Sequence, residues 1–251
     1  MIYKYLPYKL NKHLFGDREK YGTEIIEDDP EWCAFQDYSE KWHEYYKESK
    51  IRQYVDRLGY QVLKKLDIDE KIVLEIGAGL LPHLEFLNGK PKKYIVVDIR
   101  NHFLDIAKDQ LGESCETHLS SNRNSFPDVA PNSVDFIFTF YSLEHLPNLE
   151  ETLNFYLKVL KKGGSLVGAI PNEGGFIWGL GRSLTTQRAM NKKGFNYSKI
   201  ICWEHINFCD HIIQQIERIG FENKSMNFLP FTKLKNRDVN LVSSFIYEKK
   251  G

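Results

Sequence analysis

The chain has 251 residues, 42% of them hydrophobic and 14% aromatic, enough apolar material for one sizeable core and too much for a disordered polymer. Lysine plus arginine and aspartate plus glutamate both number 34; this balance argues against nucleic acid as the main partner, because phosphate binding leaves a basic excess. No run approaches the ~20 apolar residues of a membrane helix. The start, MIYKYLPYKLNKHLFG, lacks the features of a secretion signal, and the four cysteines (Cys33, Cys115, Cys202, Cys209) form no CxxC pair, so the expectation is a cytoplasmic protein with reduced thiols.

Residues 1–66 read as a helical N-terminal extension or cap. Apolar and aromatic residues recur there at steps of three and four: Trp42, Tyr45 and Tyr46, then Ile51, Tyr54, Val55 and Leu58, then Val62, Leu63 and Leu66. Gly59 reads as a kink or break between two helices. Residues 67–251 read as the main domain. KIVLEI is a first strand, and LPHLEFL is a short helix stopped by Asn88 and Gly89. KYIVVDI is a second strand. Asn101 caps the helix HFLDIAKDQL, which ends at Gly112. CETHL is a weak third strand and VDFIFTF a buried fourth. The helix LEETLNFYLKVL closes on Lys161, Lys162, Gly163 and Gly164, and SLVGAI is a fifth strand.

Residues 171–203 are glycine-containing and show few periodic signals. DHIIQQIERIG is a further helix. FENKSMNFL and NLVSSFIYEK are two final strands, with a connection short enough to suit an antiparallel pair. Strands alternating with helices predict an α/β domain with a mostly parallel sheet and helices on both faces.

The turn after the first strand, VLEIGAGLLPH, places Gly77 and Gly79 where backbone must turn sharply and approach a ligand. Asp98 ends the next strand, 19 residues after Gly79, where a carboxylate accepts both hydroxyls of a ribose. A nucleoside-bearing cofactor is therefore expected at the carboxyl edge of the sheet. A dinucleotide is one class, but Pro82 stands where its fingerprint needs a third glycine. The pairs Tyr46/Lys50 and Tyr60/Lys64 have the spacing of a short-chain oxidoreductase, yet both lie upstream of the turn.

Four stretches in order, VLEIGAG, VVDI, PNSVDFIFTFYSLEHLPN and LKVLKKGGSLVGAIPN, resemble the successive motifs of class I S-adenosylmethionine-dependent methyltransferases. The similarity is closest to the small-molecule branch that includes ubiquinone-biosynthesis methyltransferases. It covers residues 71–171 well and the C-terminal strands loosely, and leaves 1–66 and 172–207 uncovered. The resemblance implies a Rossmann-like fold, seven-stranded and mostly parallel with an antiparallel last strand, and S-adenosylmethionine as cofactor. It assigns Glu75, Gly77, Ala78 and Gly79 to the methionine part of that cofactor, Asp98 to the ribose and Ile99 to the adenine face. The adenine-edge position normally carries an acidic residue; in SSNRNSFPDVA none has the right spacing, and Asn122 or Arg123 is the substitute. Phe140 and Tyr141 would offer backbone to the cofactor's amino group.

Methyl transfer is an in-line displacement in which positioning supplies much of the acceleration. An oxygen acceptor must also lose a proton, which suits a histidine. Glu144 and His145, after the fourth strand, are the catalytic candidates; they also read as a cap on the following helix, or, through the resemblance, as ligands of a divalent ion. In CWEHINFCDH, the residues Cys202, His205, Cys209 and His211 have zinc-like crowding, but four ligands within ten residues are geometrically awkward, and no metal is expected. There Trp203, Glu204, His205 and Asn207 border a substrate pocket, or else Trp203 and Phe208 are core and His205 is a turn residue.

The insertion of about residues 172–207 reads as a substrate lid headed by Asn172. It joins an apolar wedge (Phe176, Ile177, Trp178, Leu180) to Arg182 and Arg188, which face an anion or else solvent. The aromatics Tyr21, Trp32, Tyr38, Tyr45 and Tyr46 close the cofactor site or fill core. The resulting expectation is O-methylation of a small anionic acceptor, such as a sugar, a surface-polysaccharide component or its precursor. An NAD(P)-linked oxidoreductase and a non-catalytic cofactor-binding member of the fold are the rivals. Methylation of DNA bases is disfavoured, since no N-P-P-Y or D-P-P-Y follows the fourth strand, and RNA is disfavoured by the neutral charge.

Overall fold

The computed structural model describes residues 1–46, 50–120 and 125–250, and in it the apolar runs pair into one seven-stranded sheet. The strands β1 (Ile72–Ile76), β2 (Lys93–Asp98), β3 (Cys115–Leu119), β4 (Val134–Phe140) and β5 (Leu160–Pro171) are mutually parallel. Two more, β6 (Phe221–Leu229) and β7 (Val242–Lys249), complete the order β3-β2-β1-β4-β5-β7-β6. The last strand, β7, runs antiparallel to both neighbours.

The central strands are apolar at consecutive positions because both faces of the sheet are covered. Leu74, Ile95 and Ile137 point to one face, Val73, Val96 and Phe138 to the other, and all six are buried. In chain order the helices are α1 (Tyr8–Phe15), α2 (Arg18–Tyr21), α3 (Pro30–Tyr46), α4 (Lys50–Tyr60), α5 (Asn101–Leu111), α6 (Leu149–Val159), α7 (Phe176–Leu184), α8 (Thr186–Lys192), α9 (Tyr197–Glu204) and α10 (Cys209–Ile219). The first face packs on Leu149 and Leu153 of α6 and on Ile212 and Ile216 of α10. The second packs on Tyr60 of α4, on Leu63 and on Leu104 of α5.

Four local expectations change. Asn101 does not cap α5 but is its first residue, with Arg100 at the cap position. Gly59 does not break a helix: α4 runs through it to Tyr60. Its lack of a side chain serves contact, since a Cβ there would stand 2.4 Å from the Tyr141 hydroxyl and 2.5 Å from Ala169 Cβ. Lys161 to Gly164 do not close a helix: α6 ends at Val159, and these residues form the bulged start of β5, with Gly163 at φ +72° and Lys161 bridging Asp135 at 2.8 Å. LPHLEFL is a single 3-10 turn over Pro82–Phe86 rather than an α-helix.

The insertion, irregular by sequence, is the helical run α7, α8 and α9. It shares a core with the N-terminal extension: Trp32 and Phe35 of α3 pack with Met190, Ile200, Ile201 and Trp203, and the Trp32 and Trp203 rings meet edge-on at 5.8 Å. Gly179 of α7 lets α1 approach, as a Cβ there would come within 2.6 Å of the Phe15 ring. The side chains of Trp42, Tyr45 and Tyr46 lie outside the described residues.

The Gly59→Val variant should lose about 1–3 kcal/mol of stability in urea unfolding, because Tyr141 and Ala169 leave no room for the added carbons; an unchanged midpoint would contradict the close packing of α4 on the sheet.

Candidate active site

β1 is flanked by β2 on one side and β4 on the other, so the strand order reverses there and opens a crevice at the carboxyl ends of these strands. Gly77 and Gly79 take positive φ, +76° and +56°. A Cβ on Gly77 would press to 3.3 Å from Ser142 Cβ, while Gly79 fronts open space. Asp98, at the end of β2, is 7% exposed. Its Oδ2 accepts from the Gly79 N–H at 3.3 Å and its Oδ1 from the Arg100 N–H at 2.9 Å. Burial pushes this carboxyl up, and the two N–H groups partly offset that. Beside it Ile99 is 43% exposed, and Leu119, in register with Asp98, is 61% exposed. Bare backbone, a carboxylate and an apolar floor in sequence fit the tail, ribose and base of an adenosyl cofactor.

The other residues assigned to the cofactor fall into place differently. Glu75 is buried beneath the turn, where its Oε2 accepts from the Tyr94 hydroxyl at 2.7 Å and lies 3.2 Å from His83 Nε2. Ala78 is buried in the same layer. The Phe140 ring stacks on His83 at 5.1 Å. Tyr141 sits at φ +55°, donates its N–H to the Ala169 carbonyl at 2.8 Å, and ties α4 down through its hydroxyl and the Asp56 carbonyl at 3.0 Å. Ser39 of α3 accepts from Arg100 at 3.2 Å, so the extension reaches the end of β2 beside Asp98. Asn122 and Arg123 lie outside the described residues.

Past Ser142 the chain makes a 3-10 turn, Leu143–His145. Asn207 clamps this turn: its Nδ2 donates to the carbonyls of Leu143 and Leu146 at 3.0 and 2.7 Å. His145 Nδ1 lies 2.5 Å from the Glu204 carbonyl. A carbonyl only accepts, so in the neutral ring Nδ1 carries the proton and Nε2 the lone pair. His205 stands 4.9 Å from His145, ring to ring at 82°, and its Nδ1 donates to Glu173 Oε2 at 2.8 Å. Both imidazoles therefore carry their lone pair on Nε2.

Glu173 and Glu144 are both buried, and their surroundings push them apart. Burial alone raises Glu173; the Arg182 guanidinium and His205 more than reverse this and hold it well below the usual carboxylate range. Trp178 Nε1 adds a donor at 3.0 Å. Among the described residues Glu144 has no cation bonded to it, and burial, with the charges of Glu173, Asp56 and Glu204, outweighs a backbone hydrogen bond and pushes its carboxyl up to about 8. Glu173 is thus held in its ionised form, and Glu144 is biased toward its protonated form.

The lid residues need correction. Arg182 does not present its guanidinium to an anion: it is buried, paired with Glu173, and donates to the Leu14 carbonyl at 2.6 Å. Its charge is balanced by Glu173, and its burial keeps the guanidinium from a ligand in solvent. Trp203 does not border a pocket; it lies in the core shared with α3 and donates Nε1 to the Tyr21 carbonyl at 3.2 Å. Asn172 is buried, with Oδ1 accepting from Ser243 at 2.6 Å. Glu204 contributes its carbonyl to His145, with its carboxylate 3.7 Å from the same ring. The zinc-like crowding disperses: Cys202 donates to the Ser198 carbonyl, Cys209 faces Asn172, and His211 bonds Gln215. Among the described residues, the group able to hold a metal ion is Glu144, His145 and His205, whose donor atoms lie within 4.8 Å of one another. Glu173 and Leu119 escape a reading of the sequence; only the strand register points to Leu119.

A doubly wound sheet with this switch point, a glycine turn after β1 and a carboxylate at the end of β2 is the class I S-adenosylmethionine-dependent methyltransferase fold. The chain belongs to the methyltransferase domain family, whose model matches residues 42–225, and S-adenosylmethionine is its cofactor. The match is to the family at large and does not single out the ubiquinone-biosynthesis branch. No curated protein matches the sequence. Among solved structures, a methyltransferase from Thermotoga maritima, described as a possible histamine N-methyltransferase, is 19% identical at TM-score 0.56, over 88% of this chain and all (100%) of that one. The CurJ carbon methyltransferase is 17% identical at TM-score 0.60, over 96% of this chain and 66% of its own. The [4+2]-cyclase SpnF is 14% identical at TM-score 0.55, over 80% and 84%. At these identities the likeness is one of fold. Among the described residues no helix is long and apolar enough to cross a membrane.

Two outcomes follow. Asp98→Asn should weaken S-adenosylhomocysteine binding about 10- to 100-fold in calorimetry, the loss expected when charge-assisted hydrogen bonds become neutral; an unchanged Kd would remove the ribose assignment. Glu144 has an ordinary value of 4.5 and a folded value of about 8, so the folded chain holds a proton that the unfolded chain releases between them. Its ionisation cost is absent below about 4.5, grows as pH rises and is complete above about 8. Stability should fall over that window in urea unfolding, and Glu144→Gln should flatten the fall; parallel profiles would contradict a buried neutral carboxyl.

Proposed function

We propose that this methyltransferase acts on an oxygen of a small hydroxylated molecule, with His205 and His145 as the imidazoles that receive the hydroxyl proton. The observation that carries this reading is the Glu173–His205 pair, in which a buried ionised carboxylate accepts from Nδ1 at 2.8 Å. Such a carboxylate fixes the tautomer, turns the basic Nε2 outward and stabilises the imidazolium that forms. S-adenosylmethionine, when bound, supplies an electrophilic sulfonium methyl. Asp98 and the Gly77–Gly79 turn hold it, and Ile99 with Leu119 floors its base.

His145 widens the basic face, its ring held by the Glu204 carbonyl. Burial biases the carboxyl of Glu144, 3.8 Å from His145 Nε2, toward the protonated form, which donates a hydrogen bond rather than accepting a proton. Three buried polar atoms of these residues have no partner among the described residues: Glu144 Oε2, Glu173 Oε1 and Asn172 Nδ2. Orphaned buried groups are costly, and a polar acceptor rich in hydroxyls, such as a sugar or a precursor of a surface polysaccharide, would supply their partners. An anionic group is not part of the proposal, because Arg182 is committed to Glu173. Residues 172–207, with the N-terminal extension packed on them, serve as the lid over the acceptor.

The test is a panel of sugars and other alcohols with radiolabelled cofactor. Label should enter an oxygen ether, and His205→Ala should lower kcat about 10²- to 10⁴-fold while S-adenosylhomocysteine affinity stays within about two-fold. Undiminished turnover in the His145→Ala/His205→Ala double variant would end the proposal.

A further inference from the structure

The chain is neutral overall, but its charge is placed unevenly. Residues 1–16, 176–203 and 230–237 contain no aspartate or glutamate. They carry three lysines, five basic residues and three basic residues, respectively. The fold brings the three segments together. Tyr3 donates its N–H to the Gly174 carbonyl and Ile2 to Asp238 Oδ1, Ile177 donates to the Asp238 carbonyl, and Ser183 Oγ lies 2.9 Å from His13 Nε2.

Some of these cations are used internally: Lys4 bridges Asp210, Lys199 bridges Asp29 and Arg182 pairs with Glu173. Lys9, Arg188, Lys192, Lys233 and Lys235 are exposed and have no carboxylate partner among the described residues. Large apolar side chains are exposed between them. Phe176, Leu180 and Leu184 recur every fourth residue along α7 and form one stripe. Phe231 and Leu234 are 55% and 54% exposed in the neighbouring loop, and Tyr5 is 81% exposed in the first segment.

We propose that this face docks on the surface of an anionic lipid bilayer. Lysines and arginines interleaved with leucine and phenylalanine are what an interfacial surface needs: the apolar side chains enter the headgroup boundary and the cations meet lipid phosphates. Single-stranded nucleic acid could stack on Phe176, Phe231 and Tyr5 but would leave Leu180, Leu184 and Leu234 in water, whereas a bilayer boundary takes up all six. The docking face adjoins the acceptor end of the site, because α7 carries both the stripe and Arg182, the partner of Glu173. This inference does not depend on the identity of the acceptor or of the base.

The experiment is co-sedimentation of the full chain with vesicles of phosphatidylcholine, with and without phosphatidylglycerol. Binding should appear only with the anionic lipid, and should fall steeply as NaCl rises from about 0.1 to about 0.5 M. Lys233→Glu and Lys235→Glu should each weaken it by roughly five-fold or more, and Leu180→Ser with Leu184→Ser should weaken it with the charges intact. S-adenosylhomocysteine binding, measured on each variant, reports that the fold is kept. Equal behaviour on the two lipids, or binding to a homopolymeric RNA with none to vesicles, would overturn the proposal.

Discussion

A carboxylate with no access to water has to be neutralised within the protein, and Glu173 is where this chain meets that requirement. Leaving such a charge unpaired costs about 3–5 kcal/mol. Arg182 reaches it from α7, Trp178 adds an N–H from the same helix, and His205 arrives from the end of α9. The second arm of Arg182 binds the Leu14 carbonyl of α1. One buried ion pair thus ties the end of β5, the insertion and the N-terminal extension together. The two segments outside the recognisable methyltransferase motifs are held by the group that orients the candidate base.

The site divides into a half set by backbone and a half set by charge. On the cofactor side, Gly77 and Gly79 supply conformations that other residues rarely adopt, and Asp98 stands beside them because β1 and β2 pair in parallel register. On the acceptor side, two buried glutamates are driven in opposite directions, Glu173 down by Arg182 and Glu144 up by burial. Carboxyls whose environments separate them in this way have different roles. Function has to be argued from this side, since the same fold serves a carbon methyltransferase and a cyclase.

What was legible in the sequence was local. The strands β1, β2 and β4 show as apolar runs, and the glycine turn with Asp98 follows from spacing alone. The antiparallel last strand followed from a short connection. What stayed hidden depends on contacts distant in sequence. Glycines at 179 and 181 mask α7, yet Gly179 is there to admit Phe15. Arg182 looks like an anion ligand until Glu173, nine residues earlier, is seen to take it. Trp203 looks like a pocket wall until Trp32 of α3 packs against it. Glu173 itself carries no local mark; its role arises only when His205, 32 residues later, is folded against it.

The most direct measurement is a crystal structure with S-adenosylhomocysteine bound. The account predicts ribose hydroxyls on Asp98, adenine over Ile99 and Leu119, and the sulfur opening toward the space in front of His145 and His205. Density for the nucleoside anywhere else, or a sulfur turned away from the two imidazoles, would contradict it.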